Sequence, residues 1–137
     1  MAKEFGAIYT PKGHARILAN WAIQSKDDFV LDMGIGLGVF VYQSYARLMR
    51  LGATKIKATK QIYGSEIDKT VFSQFTSEAA ERGLTFKNLH NIDLFNASFP
   101  SLDAIIGNPP YVRRRGMNQD NLNIIRTQTL GKIKISR

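Results

Sequence analysis

The stretch "FVLDMGIGLGVF", residues 29–40, decides the fold. Phe29, Val30 and Leu31 form a short apolar run that ends at a carboxylate, Asp32. Gly34, Gly36 and Gly38 follow at alternate positions, and an amphipathic segment begins at Val39. This reads as strand, glycine loop and helix, with the helix running to about Leu51 and Gly52 as its C-cap. Glycine allows positive φ and close backbone approach to a ligand. The dinucleotide fingerprint G-x-G-x-x-G/A does not fit, because its last position would fall on Val39 or Val41. A phosphate-binding Gly-Lys-Ser/Thr is also absent. Asp32 repels a phosphate and balances a cation. S-adenosylmethionine, with an ammonium, a sulfonium and no phosphate, suits this loop; a plain tight turn would look the same.

The pattern repeats downstream. "QIYGSEID" (61–68) reads as a second strand, and Asp68 caps a helix carrying Val71, Phe72, Phe75 and Ala79 on one face. Gly83 ends that helix. A third strand lies in "TFKNLHNID" (85–93) and a fourth in "LDAIIGN" (102–108), joined by the short "LFNASFP" (94–100). Strands alternating with helices imply an α/β fold with a parallel sheet flanked by helices. Upstream, residues 1–9 read as extended, and Thr10-Pro11 as a helix start with Thr10 as N-cap. That helix should reach about Gln24 and carry Leu18, Trp21 and Ala22 on one face. Residues 53–60 read as a basic surface loop.

Asp32, Glu66, Asp93 and Asn108 each follow a strand, and ligands of open α/β sheets bind at that edge. A carboxylate at Glu66 can accept from both hydroxyls of a ribose. Asp93 can accept from an adenine amine. In "AIIGNPPYVRRR" (104–115), the Asn108 side-chain oxygen and the adjacent Pro109 carbonyl are two neutral acceptors. Placed on the hydrogens of an aromatic amine, they localise its lone pair and spread the charge that develops on methylation. Pro109 and Pro110 stiffen the turn. Tyr111 can stack on a flipped base, and Arg113, Arg114 and Arg115 can hold neighbouring phosphates. Taken alone, the same residues describe a rigid polar turn with solvated arginines.

The 137 residues carry a net charge of +8, which suits a polyanionic partner or serves solubility. There are no cysteines, so disulfides and thiolate zinc sites are excluded. His14 and His90 lack ligand spacing, and no metal is expected. No apolar run approaches the ~20 residues that span a bilayer, and the start lacks the apolar core of a signal peptide. A cytoplasmic location without membrane partners is the expectation.

With these motifs in this order, the chain resembles the S-adenosylmethionine-dependent DNA adenine-N6 methyltransferases with Asn-Pro-Pro-Tyr, found in bacterial restriction–modification systems. The likeness runs from about Gly6 to Arg115. Asp32, Gly36, Gly38 and Phe40 match the family's cofactor loop, with Gly34 between them; Met33 stands where proline is common and Ile35 where cysteine is frequent. The resemblance implies cofactor contacts from Tyr9 and Thr10 in "GAIYTP", from Glu66 and the adjoining Ile67, and from Asp93 and Leu94. It implies Asn108, Pro109, Pro110 and Tyr111 as the catalytic segment, and methyl transfer to the N6 amine of a flipped adenine in DNA. The implied architecture is a Rossmann-like methyltransferase fold lacking its last strands: residues 1–28 as a cofactor-closing segment and helix, 29–112 as the cofactor and catalytic half, and 113–137 as a basic, polar end. Family members continue through further strands and a target-recognition domain. The chain is therefore read as an N-terminal portion, weakly active or inactive alone, completed by a C-terminal region or a second chain. Methylation of RNA adenine or of a protein glutamine, and an inactive remnant, are the competing readings.

Overall fold

The computed structural model of the protein describes residues 9–108. The elements in chain order are α1 (Lys12–Ala22), β1 (Val30–Asp32), α2 (Val39–Arg50), α3 (Lys55–Gln61), β2 (Ile62–Ser65), α4 (Lys69–Glu81), β3 (Asn88–His90) and β4 (Ala104–Ile106). A single 3-10 turn, Leu94–Asn96, lies between β3 and β4. Among the described residues the strands form one sheet in the order β3-β2-β1-β4, every pair parallel. The expected α/β architecture is the observed one. The extended reading of residues 1–8 and the reading of 113–137 lie outside the described residues.

β1 is central and wholly buried, as a short apolar run between two parallel neighbours should be. Val30, Leu31 and Asp32 stand opposite Ile62, Tyr63 and Gly64 on one side and Ala104, Ile105 and Ile106 on the other. The core gathers Val30, Ile62, Val41, Leu48 and Phe75. Phe75 from α4 lies against Tyr42 of α2 at 5.6 Å and against Phe86 at 6.0 Å between ring centroids. A Cβ on Gly64 would come within 2.9 Å of the Asp32 carbonyl oxygen and 3.0 Å of Leu89, so only glycine lets β1 and β2 pack this closely.

Four sequence expectations change. α1 starts at Lys12, and Pro11 is its N-cap with no side-chain cap. Pro11 accepts the first helical bond from Ala15, which leaves Thr10 one residue too far upstream to cap. α1 ends at Ala22, and the Gln24 side chain turns back onto the carbonyls of Asn20 and Trp21. Its inward face is also different: Ala15 and Ala19 are buried, whereas Trp21 is 79% exposed and Leu18 44%. Small alanines let α1 lie close to α2 and β4, and that contact turns the large residues outward. The fourth change is α3, which replaces the expected loop. Thr54 caps it by accepting from the Lys57 N–H, and Ala58, Thr59 and Gln61 face inward. Gln61 donates to the carbonyls of Lys26 and Asp28, tying α3 to the turn before β1.

Candidate functional site

The register builds the site. Asp32 is the last residue of β1, and its partners are Gly64 of β2 and Ile106 of β4. Two residues beyond those partners come Glu66 and Asn108, so one carboxyl edge of the sheet carries all three. Ser65 pairs with His90, and Asp93 follows three residues later at the same edge.

The glycine loop is pinned at several points. Gly34 N–H donates to Asp32 Oδ1 at 3.1 Å, Ile35 N–H to the Ser65 carbonyl at 3.1 Å, and Gly36 N–H to Glu66 Oε2 at 2.9 Å. Ile35, 2% exposed, plugs the loop into the core. Gly36 has φ +54° and Gly38 φ +87°, and Gly38 is the N-cap of α2. The Tyr9 ring lies beside this loop, since a Cβ on Gly36 would sit 3.7 Å from Tyr9 Cε1.

Asp32 is buried, and its Oδ2 has no hydrogen-bond partner among the described residues. Burial pushes its carboxyl up to about 8; the Gly34 N–H opposes this and the nearby Glu66 charge adds to it. An orphan carboxylate oxygen in a buried loop is a group suited to a cation. Glu66 is braced from both sides, with Oε1 accepting from the Asp68 N–H at 3.0 Å. Each carboxylate oxygen can accept a second bond, enough for a vicinal diol. The Asn91 side chain donates to the carbonyls of Glu66 at 2.7 Å and Ile67 at 3.2 Å, fixing the turn after β2. Ile67 is 57% exposed, an apolar surface next to Glu66. Asp93 caps the 3-10 turn by accepting from Phe95 N–H at 3.1 Å, with Leu94 half-buried beside it.

Gly107, φ +149°, leads from β4 to Asn108. A Cβ there would lie 3.1 Å from Asp32 Oδ1, so this glycine lets the segment run beside the Asp32 carboxyl. Asn108 Nδ2 donates to Thr10 Oγ1 at 3.3 Å. Pro109, Pro110, Tyr111 and the arginines 113–115 lie outside the described residues. Gly64, Gly107 and Asn91 escaped the sequence reading. Gly107 and Asn91 sit one residue from the turns they serve, and Gly64 sits inside a strand, where glycine signals close backbone approach. Among the described residues no group of three or more metal-ligating side chains is gathered, and no helix is long and apolar enough to cross a membrane.

A parallel sheet with a glycine loop and acids at its carboxyl edge is a Rossmann-like arrangement. The chain belongs to the N-6 DNA Methylase family, whose match covers residues 1–132. It is 28% identical over 124 residues to the type II methyltransferase M.XamI of Xanthomonas campestris pv. amaranthicola, covering 87% of this chain and 22% of that relative's length. Two solved structures share the fold. One is a type I restriction-modification methyltransferase subunit from Streptococcus thermophilus, with TM-score 0.55, 23% identity, and coverage of 75% of this chain and 23% of that one. The other is a predicted N6-adenine-specific DNA methylase from Listeria monocytogenes, with TM-score 0.62, 14% identity, and coverage of 92% and 41%.

Glu66→Gln tests the loop brace. Gln keeps one acceptor and replaces the other with an N–H₂ that faces a backbone donor. The exchange of the Gly36 and Asp68 amides should quicken roughly tenfold, the loss of one charge-assisted bond. Unchanged protection at both amides would mean the carboxylate does not hold the loop.

Proposed function

We propose that residues 29–112 form the cofactor and catalytic half of an enzyme that methylates the N6 amine of adenine in DNA, with S-adenosylmethionine as donor. The observation that carries this is the shared edge: Asp32, the braced Glu66 and Asn108 meet at the ends of three adjacent parallel strands. The residues fit the donor. The unpartnered Asp32 Oδ2 offers a counter-charge to a cationic group, Glu66 offers acceptors for a ribose, and Ile67 and Leu94 offer apolar faces to a purine with Asp93 accepting from its amine. The donor supplies an electrophilic methyl group. Asn108 and the Pro109 carbonyl accept the hydrogens of the target amine and leave its lone pair directed at that methyl. Tyr111 stacks on the extruded base, and Arg113, Arg114 and Arg115 take the flanking phosphates.

The chain spans 22% of the length of its curated relative. We propose that target recognition and the rest of the base pocket come from further sequence, in the same polypeptide or in a second chain. On this reading the 137-residue chain alone transfers methyl groups weakly or not at all, and acts in the cytoplasm as part of a restriction–modification system.

Calorimetry with S-adenosylmethionine, NAD and ATP tests the cofactor assignment. Wild type should bind S-adenosylmethionine alone, and Asp32→Ala should lose it by at least roughly tenfold, the scale of one charge-assisted contact. A folded wild-type chain that binds NAD or ATP instead, or none of the three, would overturn the reading.

A further inference from the structure

We propose that Asn91 is a positioning residue for Glu66: its amide nitrogen ties the turn after β2 to the end of β3 and so sets where the Glu66 carboxylate meets a ribose diol. This rests on the reading of Glu66 as the ribose acceptor. Asn91 Nδ2 donates to the carbonyl oxygens of Glu66 at 2.7 Å and Ile67 at 3.2 Å. Both partners are backbone carbonyls, which can only accept. The nitrogen end of the amide is therefore the end that fits, and the oxygen end would set acceptor against acceptor. A second bond takes the same path, because the Glu66 N–H donates to the His90 carbonyl at 3.1 Å. Two consecutive residues leaving β3 thus hold both backbone groups of Glu66.

The side chain of Glu66 is held as well, with Oε1 on the Asp68 N–H and Oε2 on the Gly36 N–H. Backbone and carboxylate together leave the acid one place relative to the sheet. Asn91 itself is exposed and lies outside the hydrophobic core. The helix after the turn does not need it, since Asp68 caps α4 by accepting from the Thr70 and Val71 N–H groups. The clamp therefore acts on the position of one carboxylate more than on the packing of the fold. Two residues beyond Asn91, Asp93 caps the 3-10 turn. The segment that holds the ribose acceptor also carries the acceptor assigned to the adenine amine, so the clamp sets the spacing between the two.

Amide exchange in the ligand-free chain reads the clamp directly. In Asn91→Ala the Glu66 and Gly36 amides should exchange roughly fivefold faster, the scale of one neutral hydrogen bond. The Gly34 amide, which rests on Asp32 Oδ1, should keep its wild-type rate. Asn91→Asp has the same shape but presents oxygens to the two carbonyls, so it should loosen Glu66 more than Asn91→Ala does. Calorimetry with S-adenosylhomocysteine and its 2′,3′-dideoxy analogue then separates positioning from general loosening. Asn91→Ala should weaken the diol ligand roughly fivefold and the dideoxy ligand less than about twofold, because only the first uses Glu66. Equal losses for both ligands would overturn the proposal, as would unchanged exchange at Glu66 and Gly36 or an Asn91→Asp protein that matches wild type. A wild-type chain that binds neither ligand would sink the ribose reading of Glu66 and with it the role given to Asn91, while the exchange rates still show whether Asn91 holds the turn.

Discussion

Asp32→Asn is expected to remove most of the pH dependence of stability between about pH 4 and pH 8 and, in the same protein, to abolish S-adenosylmethionine binding. The Asp32 carboxyl is raised from 3.8 to about 8 in the folded chain. Between those values the native state holds a proton that the unfolded state has released. Stability therefore falls as pH rises through this window, by about 1.4 kcal/mol per pH unit for one group. The contribution is complete below pH 4 and gone above pH 8. Asparagine has the same shape and carries no ionisable proton, so its unfolding free energy should stay nearly level where the wild type declines. Urea titrations at several pH values measure the difference. Parallel profiles for the two proteins would mean that Asp32 is not the buried acid responsible.

Ligand binding should show the same proton from the other side. A cationic donor favours the charged carboxylate, so binding below pH 8 expels the proton from Asp32. At pH 6.5, calorimetry in two buffers of different ionisation enthalpy should report release of about one proton in wild type. Affinity should rise with pH until the carboxyl ionises by itself. The site thus carries a stability cost at neutral pH that a bound cation offsets. On the proposed function, burial of Asp32 serves ligand binding at the expense of the empty fold, so asparagine should stabilise the fold and destroy binding.

Gly38→Ala is expected to be the most damaging single-methyl addition in the glycine loop. Gly38 has φ +87°, and a Cβ there would overlap the Phe75 ring and come within 3.1 Å of Tyr42. Phe75 is 1% exposed and held among Tyr42 and Phe86, so it has nowhere to move. The left-handed backbone costs an L-residue ~1–2 kcal/mol, and overpacking adds ~1–3 kcal/mol. The sum corresponds to a fall in Tm of more than about 10 °C for a domain of this size. Gly36→Ala is the control: among the described residues its Cβ would meet only Tyr9, at 3.7 Å. Its effect should be smaller on Tm and larger on cofactor affinity. Thermal unfolding followed by circular dichroism decides this, and a Gly38→Ala protein that melts within a few degrees of wild type would mean the core yields more than its packing suggests.

Much of this molecule is local and therefore written in the order of its residues. A short apolar run, a carboxylate and alternating glycines describe β1, the loop and the start of α2, because each depends on neighbours a few positions away. Asp68 as a cap and Gly52 and Gly83 as helix ends are legible for the same reason: capping groups act on the adjacent turn. The strand ends marked Asp32, Glu66, Asp93 and Asn108 before any register was known. Other features were decided by tertiary contact. The alanine face of α1 is selected by how closely a helix can approach α2 and β4, and periodicity alone favoured Trp21. α3 has a weak apolar stripe and is held by Thr54 and by Gln61 reaching back to the turn before β1. Gly64 and Gly107 are required only because β1 lies between β2 and β4. The Asp32 carboxyl is ordinary as a residue type, and its proton affinity comes from burial beside Glu66. The Thr10–Asn108 bond joins positions 98 residues apart, and only the packing of α1 against β4 brings such distant chain segments together.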